Sequence, residues 1–326
     1  NPDMSSLSPV SDVQSTPTVH DACDLGITPD DAVVWDAVKN NQVDVLKGLI
    51  EAKANVNAMK EGKILLEEAL SHPDLAIARL LLEARADTRR CFRLIIDSSN
   101  GDALKALMEA NAEVSVVWED ALEFTPLHEA AQYRETKIMQ VLLQAGANQE
   151  TRDWNGNTPL ATAVTYGDKT DGVKLLIEAK ASLDALNDYN QSILMIAARV
   201  GLSERFKLIF DQNPDIDLEM RDNNGDTVLC HAAWCGRTDI IRFLISAKAS
   251  IDVRNNEGQS PLWLAARSGV VDAVQALVDA GASLVGTCDN KGNTLICAAT
   301  THILRSNEAM LRYLISANAS VHEENY

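Results

Sequence analysis

Three stretches carry side chains whose types and spacing could do chemistry. His128-Glu129-Ala130-Ala131-Gln132 is one residue short of H-E-x-x-H. A helical zinc site of that kind needs a second imidazole four residues on, on the same face, with the glutamate as general base. Gln132 holds that place, so the stretch reads as a helix with a structural histidine. Cys230, His231 and Cys235 are residue types that ligate zinc, but they lack the paired spacing of a closed site. Glu67-Glu68 and Glu323-Glu324 could in principle work as acid and base, yet neighbours in sequence read as solvated faces. No G-x-x-x-x-G-K, G-x-G-x-x-G or G-x-S-x-G is present. The residues therefore assign no catalytic group, no metal ligand and no cofactor, and the chain reads as a non-enzyme.

Chemistry failing, the question becomes what the elements are built to present. The stretch Asn255–Val285, NNEGQSPLWLAARSGVVDAVQALVDAGASLV, looks like one folding unit. Ser260 can cap a helix by accepting a bond from a free first-turn N–H. Pro261 suits the first turn, where its missing N–H costs nothing. Leu262, Leu264, Ala265 and Ala266 form a short apolar helix, and Gly269 can end it in the left-handed region. Ala273, Val274, Leu277 and Val278 then fall on one face of a second helix, stopped by Gly281. Two helices this short cannot bury their apolar faces alone and need copies on both sides.

The copies are present. TPLHEAA begins at Thr125, TPLATAV at Thr158, SILMIAA at Ser192, TVLCHAA at Thr227, SPLWLAA at Ser260 and TLICAAT at Thr294, at offsets of 33–35 residues. A second motif recurs in phase: VLLQAGAN at Val141, LLIEAKAS at Leu175, FLISAKAS at Phe243, ALVDAGAS at Ala276 and YLISANAS at Tyr313. With these motifs the chain resembles the ankyrin-repeat family, whose helix-opening signature is T-P-L-H-x-A at this period. The resemblance runs from about residue 29 to the end. It implies an all-α fold, an ankyrin-repeat solenoid of about nine helix-turn-helix repeats with short β-hairpin fingers. It also places His128 at the family's structural histidine, whose ring bonds turn backbone. Cys230 and Cys297 share that repeat position two repeats apart. Helices about 8–10 Å apart put them too far from each other for a disulfide.

Composition agrees with a globular chain: 46% apolar, with a net charge of −18. That charge argues against nucleic acid, whose phosphates it repels, and favours partners with a basic, polar or aromatic-complementary surface. No apolar run is long enough for a transmembrane helix. The six cysteines are scattered, mostly at repeat-core positions, which points to a reducing, cytoplasmic compartment. The triplets Asn190-Gln191-Ser192 and Asn318-Ala319-Ser320 match the glycosylation pattern but arise often by chance.

Along the chain, residues 1–28 have the Ser/Thr/Asp/Pro composition of a disordered extension. The ankyrin segment, 29–326, divides at about 29–58, 59–88, 89–119, 120–152, 153–186, 187–221, 222–254, 255–288 and 289–326. The first repeat is divergent, with Asp30-Asp31 at a helix start. The short link 86–90 leaves no room for a normal finger. The third repeat is polar where the family is apolar, ending its first helix at Asp97-Ser98, and Val114–Trp118 reads as a β-like run. The regular stack should be disturbed around 86–120. The sixth repeat departs at Asp211–Pro214, and the ninth has about three extra residues at 301–307. Glu308–Ser316 should be the last, polar-faced helix.

The resemblance also says which positions meet a partner: the finger tips and the last residues of each first helix, which line the family's concave face. At the tips these are Ala121, Leu122 and Phe124, then Trp154/Asn155, Asp188/Tyr189, Asn223/Asn224, Asn256/Glu257 and Asn290/Lys291. At the helix ends they are Gln132/Tyr133, Thr165/Tyr166, Arg199/Val200, Trp234/Cys235, Arg267/Ser268 and Thr301/His302. Aromatics are only 5% of the chain, and interface hot spots favour Trp, Tyr and Arg. Phe124, Tyr133, Trp154, Tyr166, Tyr189, Arg199, Trp234 and Arg267 are therefore the expected partner-binding residues. Lys47, Glu51, Glu178 and Arg242 fall on the opposite face. The expected function is a non-catalytic protein-binding scaffold. The alternative is a permanent accessory subunit of a larger assembly, in an organelle after leader removal, since the chain starts at Asn1. A regulatory ankyrin segment of an enzyme is more distant.

Overall fold

The computed structural model describes residues 31–88, 90–110, 112, 123–167, 170–300, 308–317 and 319. The expectations placed on 1–28, Val114–Trp118, Ala121, Leu122 and 301–307 lie outside these residues. The chain forms two compact units, up to Glu113 and from Val114 onward.

The first unit holds three helix pairs: α1 (Asp31–Lys39) with α2 (Val43–Glu51), α3 (Leu65–Leu70) with α4 (Ala76–Glu83), and α5 (Cys91–Asp97) with α6 (Gly101–Glu109). Alternate helices stack, α1 on α3 on α5 and α2 on α4 on α6. Trp35, Val38, Leu46, Leu66, Leu81, Phe92, Ile95 and Leu107 are buried between them. None of these helices reaches the roughly 12–15 residues a lone helix needs in water, so this burial is what holds them. A finger survives as β1 (Met59–Lys60) paired antiparallel with β2 (Lys63–Ile64). Its two-residue turn, Glu61 and Gly62, has both φ angles positive, the twist that matches a tight hairpin. α5 ends at Asp97 with Ser98 after it, as expected, while its inner face stays apolar: Cys91, Phe92, Ile95 and Ile96 are all buried. Its polar side chains, Arg93 and Asp97, are exposed, as is Ser98, which follows it.

The second unit repeats the pairing six times: α7 (Pro126–Gln132) with α8 (Thr136–Gln144), α9 (Pro159–Tyr166) with α10 (Asp171–Glu178), α11 (Ile193–Val200) with α12 (Ser203–Gln212), α13 (Val228–Trp234) with α14 (Thr238–Ser246), α15 (Pro261–Ser268) with α16 (Val271–Asp279), and α17 (Leu295–Thr300) with α18 (Glu308–Ser316). The first helices stack in sequence order. The capping reading holds: the hydroxyls of Thr158, Ser192, Thr227 and Ser260 each accept from the backbone N–H three residues on, at 3.2–3.4 Å. Gly269 ends α15 at φ 78°.

One side-chain position at the third residue of the first helices stitches neighbouring repeats. His128 Nε2 meets Asn157 O at 3.1 Å, and Trp263 Nε1 donates to Asn293 O at 2.9 Å. The His128 Nδ1 atom lies 2.9 Å from Thr125 Oγ1 and accepts from the Thr125 N–H at 3.3 Å. The proton therefore sits on Nε2 and is donated to Asn157.

The fingers of this unit are built as Asx turns, with strand pairing reduced to the bridges Leu186↔Ser192 and Cys288↔Thr294 among the described residues. Asp153, Asn187, Asp222, Asn255 and Asp289 each accept from the amides two and four residues on, at 2.8–3.1 Å. Successive tips are then joined by backbone bonds, Asn223 N to Tyr189 O, Asn256 N to Asn224 O and Asn290 N to Glu257 O, at 2.8–3.0 Å. Asn223, Asn256 and Asn290 add side-chain bonds to the tip before, at 3.0–3.1 Å.

This close stacking of tips makes Gly258 critical. Its φ is +78°, and an added Cβ would lie 2.8 Å from the Asn290 backbone nitrogen. Gly286, at φ +75°, faces open space. Gly286→Ala should cost only the left-handed strain, about 1 kcal/mol. Gly258→Ala adds displacement of the next finger and should cost about 2–3 kcal/mol in all. Urea midpoints check this, and equal losses at the two sites would refute the close-stacking account.

Candidate protein-binding surface

The chemical candidates resolve first. Both ring nitrogens of His128 are engaged within the fold and its side chain is fully buried, so nothing is left for a metal. His231 Nε2 lies 3.0 Å from Asp222 Oδ2, with side chains 11% and 0% exposed. A His–Asp pair orients a nucleophile in some active sites. Here the adjacent thiol is Cys230, which burial pushes up to about 11, so it stays protonated. The pair instead braces a finger, since Asp222 is also that finger's Asx residue. Among the described residues no cluster of three His, Cys, Asp or Glu side chains could hold a metal ion. The expectation of mostly core cysteines is corrected. Cys91 and Cys230 are buried, Cys235 and Cys288 are half-buried and Cys297 is exposed. Cys297 shares the stitching position of His128 and Trp263, but α17 belongs to the last described helix pair, with no later repeat packed on it among these residues.

These buried groups give the fold a pH dependence. Burial holds the His128 imidazole below its ordinary value, only partly offset by Asn157 and Asp153. Burial pushes the Asp222 carboxyl up, but bonds from His231, the Asp226 amide and Gln191 together outweigh it and leave it below the usual carboxylate range. Asp289 is likewise lowered: the Asn293 and Lys291 bonds outweigh its burial. A depressed histidine is protonated first in the unfolded chain, so stability falls as pH drops below about 6.5. The carboxylates add a further loss below about 4, and Asp226, raised mainly by burial, runs the other way. Urea midpoints should fall between pH 7 and pH 5, and His128→Gln should flatten that slope. An equal slope in the variant would refute the assignment.

Five of the expected contact residues stand out on the surface. Tyr133, Tyr166 and Trp234 at the helix ends are 48%, 51% and 48% exposed, and Trp154 and Tyr189 at the finger tips are each 52% exposed. They are the only aromatics among the exposed large apolar side chains of the described residues. The helix ends expose them because the first helices bury almost every earlier residue against the next repeat. Tyr189 is tethered by its hydroxyl to Asn155 Oδ1 at 3.1 Å. Phe124 is a correction: it is 3% exposed, stacked on His128 with ring centroids 5.4 Å apart. It sits immediately before the N-cap Thr125, where an apolar residue folds back on the first turn, and it is not available to a partner.

The arginines of the row are also placed. The Arg267 guanidinium lies 4.4 Å from the centre of the Trp234 ring, within cation–π range. Arg199 is exposed, and its carbonyl accepts from Arg237 Nε at 3.2 Å. Burial raises the Cys235 thiol while Arg237 and Arg199 pull it down, so both guanidiniums act on it. Arg237 was not singled out in the sequence. Its signal was its place, three residues before the next helix's apolar face begins at Ile240, in a turn whose other members are small. The Asx residues were also missed; each lies five residues before a capping Ser or Thr.

A family model described as ankyrin repeats, in three copies, matches residues 94–187, 163–255 and 247–325. The chain belongs to the ankyrin-repeat family. This ankyrin-repeat chain is similar to the crystal structure of the human ASB11 ankyrin repeat domain, with TM-score 0.57 and 25% identity over 68% of this chain and 96% of that one. It is 36% identical over 123 residues to ankyrin repeat domain-containing protein SAT10 of Stachybotrys chartarum, covering 38% of this chain and 6% of that protein. It is 26% identical over 222 residues to putative palmitoyltransferase ZDHHC13 of Danio rerio, covering 62% of this chain and 33% of that protein. It thus spans a minor part of either curated relative. Ankyrin repeats are in general protein–protein interaction modules. No described helix of this ankyrin-repeat chain is long and apolar enough to cross a membrane.

Proposed function

We propose that this ankyrin-repeat chain is a non-catalytic scaffold that binds a partner protein through the first-helix ends and finger tips of its second unit. The observation that carries this reading is the placement of the exposed rings. Tyr133, Tyr166 and Trp234 occupy equivalent helix-end positions, and Trp154 and Tyr189 adjacent tip positions, each about half exposed. Scattered apolar residues on a surface need no explanation; large aromatics recurring at the same repeat positions do. Their burial in a contact would supply the area and rigidity that hot spots use. The second helices of the same unit, with exposed Glu178 and Arg242, carry no exposed aromatic among the described residues.

The test is affinity capture with mass spectrometry, comparing the wild type with a Tyr166→Ala/Trp234→Ala chain of equal melting temperature. Partners retained by the wild type and lost by the variant support the reading. The same set captured by both would overturn it.

A further inference from the structure

The net charge of −18 favours basic partners at long range, but the middle of the row is locally the reverse. Arg199, Trp234 and Arg267 hold the same helix-end position in three successively stacked first helices. The Arg267 guanidinium lies 4.4 Å from the Trp234 ring, Arg237 Nε donates to the Arg199 carbonyl at 3.2 Å, and the charges of Arg237 and Arg199 both pull the Cys235 thiol down. Among the described residues none of the three forms an ion pair. The nearest acids in sequence, Glu204, Asp239 and Asp272, open the following helices. Three other arginines of this unit are engaged by backbone: Arg152, Arg221 and Arg254 each donate to a carbonyl of the next repeat at 2.7 Å. Among the described residues the Nη groups of Arg237 have no such partner. Arg267 is engaged by its face, which leaves its edge donors for a carboxylate.

We propose that Arg199, Arg237 and Arg267 around Trp234 grip an acidic, extended peptide segment of the partner protein. Its carboxylates take the guanidinium edges, and an apolar side chain between them lies on the indole. This rests on the scaffold reading above and adds the partner's chemistry. Bidentate guanidinium–carboxylate bonds are among the stronger polar contacts. The repulsive field of the rest of the chain is screened beyond about 8 Å at physiological ionic strength, so the local cluster decides the contact.

The experiment is selection of a random twelve-residue peptide library on the full chain, followed by fluorescence anisotropy with the enriched peptides. The expected result is enrichment of Asp and Glu, with affinity falling at least tenfold in Arg199→Gln/Arg267→Gln and largely kept in Arg199→Lys/Arg267→Lys. Both positions lie outside the core, Arg199 exposed and Arg267 half-buried, and unchanged melting temperatures confirm folding. Enriched peptides that are neutral or basic, or acidic ones that bind the glutamine variant equally, would overturn the proposal. If those peptides still need Tyr166 and Trp234, the scaffold reading survives. No enrichment at all would count against both. Tighter binding of a twelve-residue oligothymidylate than of any acidic peptide would overturn it in favour of nucleic acid. Self-association abolished by the glutamine variant would overturn it in favour of a second copy.

Discussion

Arg205→Ala should lower the stability of the unit from Val114 by about 3–5 kcal/mol, as much as emptying a core leucine site. Arg205 is 1% exposed, the largest fully buried side chain among the described residues. It rises from α12 and donates through Nη1 to Val164 O at 2.8 Å and through Nη2 to Gly167 O. Those carbonyls close α9, where free acceptors and the negative end of the helix dipole favour a cation. The other regular first helices end differently. Gly201 and Gly269 cap α11 and α15 in the left-handed region, but Gly167 caps α9 extended, at φ −60° and ψ 148°. Arg205 supplies from the next repeat what a left-handed cap would supply locally. It also fills space where α10 and α12 pack less closely than other neighbouring second helices of the unit. Arg205→Met keeps much of the volume but strands the buried Val164 carbonyl, at about 1–3 kcal/mol, and the half-buried Gly167 carbonyl at less. Urea midpoints, with hydrogen exchange over 159–212 to localise the loss, check this. An unchanged midpoint in Arg205→Met would show that the guanidinium is incidental.

Arg205 also marks where the sequence stops being informative. The helix pairs, their caps and the stacking order follow from local rules: a hydroxyl before an apolar turn, a proline at its first residue, a glycine after its last. These act within a few residues and were legible. Arg205 looks like any helix-surface arginine in SERFKLIF, because the acceptors that bury it lie 38 and 41 residues away. Phe124 failed for a related reason. Repeat arithmetic put it at a finger tip, but its side chain answers to the cap that follows it. The finger chemistry was legible in the five Asp or Asn residues preceding each cap, and was passed over because hairpin fingers direct attention to strands. Cys297 shows a limit of position itself: the site that buries His128 and Trp263 exists only where another repeat leans on it. Tyr133, Tyr166 and Trp234 are exposed because repeat phase puts them at the outer ends of the first helices, and Trp154 and Tyr189 because they stand at finger tips.

The same contrast between ring positions yields the sharpest test of function. Trp234→Ala and Tyr166→Ala should each weaken partner binding by about 2 kcal/mol, roughly thirtyfold, while moving the melting temperature little. Each ring is about half exposed in the free chain, so truncation forfeits only part of a ring's burial in the fold. In a complex the whole ring would be removed from water, and the loss would fall on binding. Phe124→Ala should do the reverse. Its ring is 3% exposed and stacked on His128, so its removal should cost about 3 kcal/mol of stability and leave the affinity of the folded fraction unchanged. Trp234→Phe keeps a flat apolar platform beneath Arg267 and should retain most of the affinity. Calorimetric melting and titration of the four variants against one captured partner separate the two classes. If Trp234→Ala lost stability and binding in parallel, as Phe124→Ala would lose stability alone, the ring would be a brace between repeats, and the contact surface would have to lie elsewhere.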